Sequence, residues 1–143
     1  MVRLKSRLKS LQALPDPCPC GSGRAYPDCC GPFIAGTSRP RTAEQLMRSR
    51  FTAYTLDNTD YLSATWHPAT RPPDLTADQP VHWLGLRIVT TAAGGPDDQH
   101  GVVEFIARYK SGGRAFRLHE RSRFERRQGR WVYLDGDLLR PET

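Results

Sequence analysis

The sequence predicts an α+β fold in which a small cysteine-rich segment precedes helices and an antiparallel sheet. All 4 cysteines of the 143-residue chain lie between positions 18 and 30. Hydrophobic residues then recur at helical spacing from Ala43 to Tyr54, and from position 81 onward their period changes to two. Helices that are followed by a run of hairpin-linked strands are typical of an α+β domain with an antiparallel sheet.

Length and charge restrict the class of protein. A chain of 143 residues suits one domain with a small appendage. The formal charge of +6 favours an anionic partner without establishing one. The opening stretch MVRLKSRLKSLQALP is basic but lacks the apolar run of a signal peptide, and no segment approaches the roughly 18 apolar residues of a membrane span. We therefore expect a cytoplasmic protein with no membrane partner, in which thiols stay reduced.

The chain divides into three parts. Residues 1–14 form a basic lead-in, and residues 15–40 are rich in Pro, Gly and Cys. The second part can bury little apolar surface, so it needs a disulfide or a bound metal ion to stabilise its fold. Residues 41–143 carry the helical and strand patterns and form the main α+β domain.

Two helices are predicted at the start of this domain. Thr42 and Gln45 fit the capping box T-x-x-Q, in which the two residues satisfy backbone groups at a helix start. The apolar face of this first helix contains Ala43, Leu46, Met47, Phe51 and Tyr54. Asn58 or Thr59 caps a second, short helix that runs through Trp66 and is ended by Pro68.

Four strands follow a proline-rich loop at residues 68–80. The predicted strands cover residues 81–91, 101–110, 114–126 and 130–135. Three segments separate the four strands: "AAGGPDDQHG", "SGG" and "RQG". They have the composition of turns, so the sheet is a meander of hairpins.

The cysteines have the spacing C-x-C-x8-C-C. Four thiolates surround Zn²⁺ tetrahedrally, and such a closed set leaves no open position for a substrate, so the site is structural. Gly21 and Gly23 permit the tight turn after the first pair, while a turn or helix start at Cys29 and Cys30 separates the two adjacent thiols. The alternatives are a pair of disulfides, inert cysteines, or a redox role. A reduced compartment disfavours the disulfides, and the absence of CxxC disfavours the redox role.

The stretch CPCGSGRAYPDCC resembles the SEC-C zinc motif, named for the carboxy terminus of the SecA translocation ATPase. Cys18, Cys20, Cys29 and Cys30 match its ligand positions, and the last of these is often His in SecA-type versions. The resemblance implies a structural Zn²⁺. It also makes an export chaperone or the ribosome the kind of partner to expect.

Further blocks resemble the uncharacterised YchJ-like family. They are CCGPFIAG, TAEQLMRSRFTAY, YLSATWHPATR, HERSRF and GRWVYLDG, and they cover most of residues 17–136. The family joins a SEC-C motif to a cystatin-like cone of the nuclear-transport-factor-two-like superfamily. The resemblance implies helices packed on a curved antiparallel sheet, with a pocket at the open end, but it implies no particular reaction.

Alternation predicts which residues line that pocket. In the strand 114–126, one face carries Phe116, Leu118, Glu120, Ser122 and Phe124, so this apolar face should point inward. A carboxylate there must be paired or hydrogen-bonded. Glu104 joins it if its own face of strand 101–110 points inward. The predicted pocket residues are Trp66, His67, Glu104, Glu120, Ser122, Trp131 and Tyr133, with Trp131, Tyr133 and Asp135 on one face of the last strand.

The pocket has two interpretations. In the first, Glu120 is a general base or ligand anchor and His67 is its partner acid, which would make the protein a small-molecule enzyme. In the second, Glu120 only accepts hydrogen bonds and fixes the helices against the sheet, and His67 caps its helix.

Arginines crowd residues 114–130, and Arg117, Arg121 and Arg123 share the outer face of one strand. They form either a stripe that binds phosphates of RNA without sequence preference, or a solvated outer face. The leading hypothesis is a docking or binding protein that uses the SEC-C module. The alternatives are an enzyme that uses the cone pocket and nonspecific RNA or ribosome binding through the arginines.

Overall fold

The computed structural model describes residues 17–75 and 81–139, so the predicted basic lead-in lies outside the described residues. A 3-10 turn at Tyr26–Asp28 precedes helices α1 (Gly31–Ala35), α2 (Ala43–Thr55) and α3 (Thr59–Ala64). The strands are β1 (His82–Ala93), β2 (His100–Ser111), β3 (Arg114–Arg127) and β4 (Arg130–Leu138). They form one antiparallel sheet in the order β1-β2-β3-β4, which confirms the α+β prediction. Within the described ranges, no helix is long and apolar enough to cross a membrane.

The start of α2 is capped as predicted. The Thr42 side chain accepts a hydrogen bond from the Gln45 amide at 3.1 Å. The Gln45 side chain reaches back to the amide of Arg41 at 2.7 Å, one residue before the cap. These two bonds satisfy backbone donors that a helix start would otherwise leave free.

The second predicted helix is real but shorter than expected. The Asn58 side chain caps α3 by accepting from the Tyr61 amide at 3.0 Å. The helix ends at Ala64 and does not reach Trp66, so that part of the prediction is wrong. The chain turns at Thr65 because it joins the sheet there: Trp66 forms a parallel bridge with Tyr133.

The core lies between α2 and the concave face of the sheet. Ala43, Leu46, Met47 and Phe51 are buried on α2, as its predicted apolar face requires. The sheet contributes the buried side chains Val103, Phe105, Ala107, Phe124 and Trp131. Ser122 and Phe124 are both fully covered, which confirms the predicted inner face of β3 at this end of the strand.

A β-bulge changes the orientation of β4. Phe124 pairs with Tyr133, but its neighbour Arg123 pairs with Asp135, so β4 has one extra residue, Leu134. The bulge turns Asp135 to the outer face. The expectation that Asp135 shares a face with Tyr133 is therefore wrong, because simple alternation does not survive a bulge.

The turn after β1 fixes the start of α2. The Ala43 amide donates to the Gly94 carbonyl at 2.9 Å. Gly94 has φ +78°, and a Cβ there would lie 2.9 Å from the Ala43 Cβ. Only glycine combines this backbone conformation with so close an approach.

We predict that Gly94→Ala lowers the free energy of unfolding by about 2–4 kcal/mol, because left-handed strain and overpacking against Ala43 add. Chemical denaturation of both variants beside the native protein measures it. Gly95→Ala is the matched control: the nearest atom to its Cβ would be an Asp98 oxygen at 3.5 Å, an ordinary contact. Equal stabilities for the two variants would contradict the proposed close packing of this turn on α2.

Candidate functional site

The four cysteines converge on one point. Their sulfur atoms all lie within 4.8 Å of one another. Cys20 Sγ is 3.5 Å from Cys29 Sγ, and Cys29 Sγ is 4.0 Å from Cys30 Sγ. Tetrahedral Zn²⁺ with bonds of about 2.3 Å places its sulfurs about 3.8 Å apart. The residues present therefore fit a single four-coordinate metal ion.

The backbone explains how neighbouring residues share one centre. The 3-10 turn Tyr26–Asp28 ends at Cys29, and Cys30 is the N-cap of α1. The change of direction between the two elements separates the adjacent thiols, as predicted. Gly21 has φ +80°, and a Cβ there would lie 2.8 Å from the Leu86 carbonyl oxygen, so the first turn rests directly on β1.

The thiols also influence each other's protonation. Hydrogen bonds from Cys18 and Cys30 hold the pKa of Cys20 far below its ordinary value. The same set of contacts, from Cys18 and then Cys20, raises the pKa of Cys30. Sulfur atoms this close together repel one another when more than one of them carries an uncompensated charge. A dication removes this conflict because it binds all its cysteine ligands as thiolates.

The cysteine knuckle, residues 18–30, is built onto α2. Thr52 Oγ1 donates to Cys30 Sγ at 3.3 Å and lies 3.6 Å from Cys18 Sγ. Arg48 Nη1 donates to the Cys20 carbonyl at 2.7 Å. Since Thr52 is completely buried, the sulfur cluster and the helix form one packed unit.

On the other side of α2, a cavity of about 300 Å³ lies between the helix and the sheet. Most of its wall is apolar, and a few polar side chains gather around Glu120. The lining residues are Met47, Arg50, Phe51, Tyr54, Trp66, Trp83, Phe105, Ala107, Leu118, Glu120, Ser122 and Tyr133.

Glu120 is held by two hydroxyl groups. Its Oε2 accepts from Ser122 Oγ at 2.6 Å and from Tyr133 Oη at 3.2 Å. Burial and the neighbouring Glu120 charge raise the pKa of Tyr133. The phenol therefore stays protonated at neutral pH and remains a donor to the carboxylate.

Arg50 is buried in the cavity wall, 3% exposed, without an acidic partner among residues 17–75 and 81–139. Its Nη1 donates to the Leu62 carbonyl at 2.9 Å and to Thr65 Oγ1 at 2.7 Å. The guanidinium also lies over the rings of Trp66 and Tyr133, 4.8 Å from each centroid. Burial lowers the pKa of Arg50, but an arginine still keeps its charge in a protein.

The sequence-based prediction missed Arg50, although a signal was present. Arg50 is four residues after Leu46 and four before Tyr54, so it belongs to the same helical face as the apolar residues. A charged residue in the middle of an apolar face is the pattern that marks a buried polar site.

Four of the seven predicted pocket residues line the cavity: Trp66, Glu120, Ser122 and Tyr133. Trp66 brings a further polar atom to its wall. The Trp66 Nε1 is buried and has no hydrogen-bond partner in the part of the chain that the structure describes.

Glu104 and His67 do not reach the cavity, and both placements were wrong. Glu104 lies on the outer face, 2.9 Å from His119 Nε2, because β2 turns Val103 and Phe105 inward. His67 follows Trp66 in an extended segment, so the two side chains point in opposite directions. The His67 Nε2 lies 3.2 Å from Glu125 Oε1.

Trp131 is also outside the cavity. It packs in the core near the start of α2, where its Nε1 donates to the Arg41 carbonyl at 3.0 Å. The Arg126 guanidinium covers its ring at 4.7 Å.

The arginines predicted to form a stripe differ in their partners. Arg123 pairs with Asp135 at 2.6 Å and with Asp137 at 2.8 Å. Arg121 pairs with Glu104 at 3.2 Å. Arg117 has no carboxylate within 4.0 Å among the described residues, so the structure divides the stripe into a neutralised part and a free part.

Comparison with known proteins identifies both parts of the chain. A family model described as "YchJ, middle NTF2-like domain" matches residues 42–136, and the SEC-C motif matches residues 15–32. A UPF0225 protein of Cupriavidus pinatubonensis is 51% identical over 134 residues, which cover 90% of this chain and 92% of that protein. A UPF0225 protein of Ralstonia nicotianae is 55% identical over 144 residues, covering 89% and 98%.

Solved structures show the same architecture. The solution structure of a SEC-C motif containing protein from Rhodopseudomonas palustris matches with a TM-score of 0.75 and 39% identity, covering 86% of this chain and 98% of that one. The crystal structure of a SEC-C motif containing protein from Psychrobacter arcticus matches with a TM-score of 0.67 and 28% identity, covering 88% and 84%. With its sulfur cluster at residues 18–30 and its cone at 42–136, the chain belongs to the YchJ-like UPF0225 family of SEC-C motif proteins.

Proposed function

We propose that the protein binds a small organic molecule in the cone cavity, and that a structural Zn²⁺ fastens the cysteine knuckle to the helix that forms one wall. The observation that carries this proposal is a cavity with a mostly apolar wall that is also lined by two oppositely charged side chains, the buried Arg50 and the half-buried Glu120. Cavities of about 300 Å³ and more, with mostly apolar walls and a few convergent polar groups, are the usual form of small-molecule sites.

The polar groups define the head of the ligand. The hydrogen bonds of Arg50 to Leu62 and Thr65 use its Nη1 atom, and those of Glu120 to Ser122 and Tyr133 use its Oε2 atom. Tyr133 contacts both residues, since its ring lies under Arg50 and its hydroxyl binds Glu120. A head group that offers an acceptor to Arg50 and a donor to Glu120 fits this arrangement, as an amide or an amino acid does.

The apolar wall determines the rest of the ligand, which is called here its body. Phe51, Trp83 and Phe105 face the cavity, and the Phe51 and Trp83 rings meet edge to face at a centroid distance of 5.6 Å. Aromatic walls of this kind favour a flat or aromatic body. The ligand class is therefore a compact apolar molecule with an uncharged or zwitterionic hydrogen-bonding head.

Zinc has a structural part in this proposal. The ion would be held by Cys18, Cys20, Cys29 and Cys30. A Zn²⁺ ion bound by four thiolates makes the knuckle rigid and compensates part of the thiolate charge, and it has no open coordination position for a substrate. Docking to an export chaperone or the ribosome, expected from the motif, stays a prediction. The knuckle surface formed by Cys18, Cys20 and Cys30 is covered by the cone, so a partner would bind elsewhere on the module.

Catalysis by Glu120 also stays a prediction. The arrangement supports it less than binding, because the proposed acid His67 pairs with Glu125 outside the cavity. The hydroxyl groups that donate to the carboxylate are those of Ser122 and Tyr133.

Titration of isotope-labelled protein with three compounds tests ligand binding: 3-phenylpropanamide, 3-phenylpropanoate and 3-phenylpropylammonium. We predict that the amide shifts the resonances of cavity residues at the lowest concentration. The two charged compounds, 3-phenylpropanoate and 3-phenylpropylammonium, should each bind at least about tenfold more weakly, because each leaves either Arg50 or Glu120 without a suitable partner.

Glu120→Gln and Arg50→Met should each weaken the binding of 3-phenylpropanamide. Glu125→Gln, a substitution outside the cavity, should leave its binding unchanged. If none of the three compounds shifts cavity residues up to about millimolar concentration, a preformed small-molecule site of this class is excluded.

A separate prediction concerns the contribution of Glu120 to the stability of the fold. Glu120→Gln should change the melting temperature little, because an amide oxygen still accepts from Ser122 or Tyr133. Glu120→Ala should cost about 1–3 kcal/mol, because two hydroxyl donors lose their acceptor. Thermal unfolding of both variants measures the difference. An Ala variant that melts like the native protein would show that these hydrogen bonds do not form, and any turnover lost in Glu120→Gln without loss of stability would favour catalysis.

Purified without chelator, the protein should contain one equivalent of zinc. Removing the metal should expose the knuckle to proteolysis, while the sheet persists because it has its own core with α2. Elemental analysis followed by limited proteolysis with and without EDTA measures both effects. A metal content below about a tenth of an equivalent would contradict the site, since structural zinc binds far too tightly to be lost in purification.

A further inference from the structure

We propose that Arg87, Arg108 and Arg117 form a second site, on the outer face of the sheet, that binds the phosphate backbone of nucleic acid. This site, called here the arginine groove, lies on the opposite face of the sheet from the cone cavity. It does not depend on the proposed small-molecule function.

The strand register places the three arginines side by side. Arg108 on β2 pairs directly with Arg117 on β3 and with Gly85 on β1. Arg87 is two residues beyond Gly85, so it has the same orientation. A Cβ at Gly85 would lie 3.1 Å from Arg108 Nη2, which means that the Arg108 guanidinium lies across this glycine toward β1. Neighbouring strands are about 4.8 Å apart, so one ligand can contact all three cations.

The three arginines are not neutralised within the chain. None has a carboxylate within 4.0 Å among the described residues, and all three are exposed. Further along the same face, Arg121 and Arg123 are both paired with acids. Among the described residues, the outer face therefore presents three unpaired arginines near the β2–β3 hairpin, whereas Arg121 and Arg123 further along β3 are paired.

The groove has a defined floor and wall. It is an open depression of about 720 Å³, and Gly85 and Ile106 on the sheet form its floor. The knuckle supplies one wall through Pro19 and Gly21. No aromatic side chain lines it, so bases have no surface on which to stack. The occupant is recognised through its backbone, without sequence preference.

The regular repeat of charge favours a phosphodiester chain over an acidic peptide. A nucleic acid strand carries one phosphate on every nucleotide, whatever its sequence. An extended peptide needs an acidic residue at every second position to present a comparable row of charges to one face. Three guanidiniums within about two strand spacings fit a partner whose charge repeats regularly, and each guanidinium can bind a phosphate with two parallel N–H donors.

Fluorescence anisotropy of the full-length, zinc-loaded protein with a labelled oligo(dT) of about 20 nucleotides tests the proposal. About three phosphate contacts predict that log K falls with log salt concentration with a slope of about −2. Two matched variants locate the site: Arg108→Gln with Arg117→Gln, and Arg121→Gln with Arg123→Gln. Each pair removes two positive charges from neighbouring positions. The first should weaken binding at least about tenfold at low salt, and the second by less than about twofold.

Three results would overturn the proposal. Equal losses in the two variants would mean that only net charge matters. Competition by polyglutamate as strong as competition by unlabelled oligo(dT) would mean that the groove does not select phosphate. No binding at about 20 mM salt, where electrostatic attraction is hardly screened, would mean that the arginines are a solvated face. Circular dichroism spectra identical to the native spectrum establish that the exposed substitutions leave the fold intact.

Discussion

Helix α2 packs against two parts of the molecule at once, the cysteine knuckle on one side and the cone on the other. The rest of the structure depends on this double packing. Arg48 and Thr52, four residues apart and so on one side, hold the cysteine knuckle by its carbonyl and sulfur atoms. Met47, Arg50 and Phe51 face the cone instead. The knuckle has too little apolar surface to fold alone, so we propose that it depends on both a metal ion bound by its four cysteines and this helix. Through α2, the sulfur cluster supports one wall of the cavity.

The same helix carries a buried charge that a merely structural core would not require. Arg50 loses its hydration, and a carbonyl, a hydroxyl and two aromatic rings replace only part of it. Well-packed apolar residues usually serve stability as well as buried ions do or better. A buried arginine and a half-buried carboxylate beside the same tyrosine, both lining one cavity, are therefore better explained by a ligand than by stability.

Local rules were enough to predict much of this structure. The Thr42 cap, the inward alternation of Ser122 and Phe124, and the cysteine set follow from short-range spacing. The errors about which face a residue occupies share one cause, which is that this face depends on strand pairing that the sequence does not show. β2 turned Glu104 outward, an extended segment turned His67 away from the cavity, and a bulge turned Asp135 to the outer face. The neutralisation of Arg121 and Arg123 likewise depends on acids that only the strand register brings near.

Hydrogen exchange of the α2 amides tests the dependence of the cavity wall on the metal most directly. Comparing zinc-loaded protein with chelated protein, we predict that amides from Arg48 to Thr52 exchange at least about tenfold faster without zinc, because the knuckle no longer covers them. Amides from Val103 to Ala107 on β2 should be unchanged and serve as the internal reference. If the knuckle amides become unprotected while those of α2 keep their protection, the knuckle does not support the helix, and the central claim is wrong.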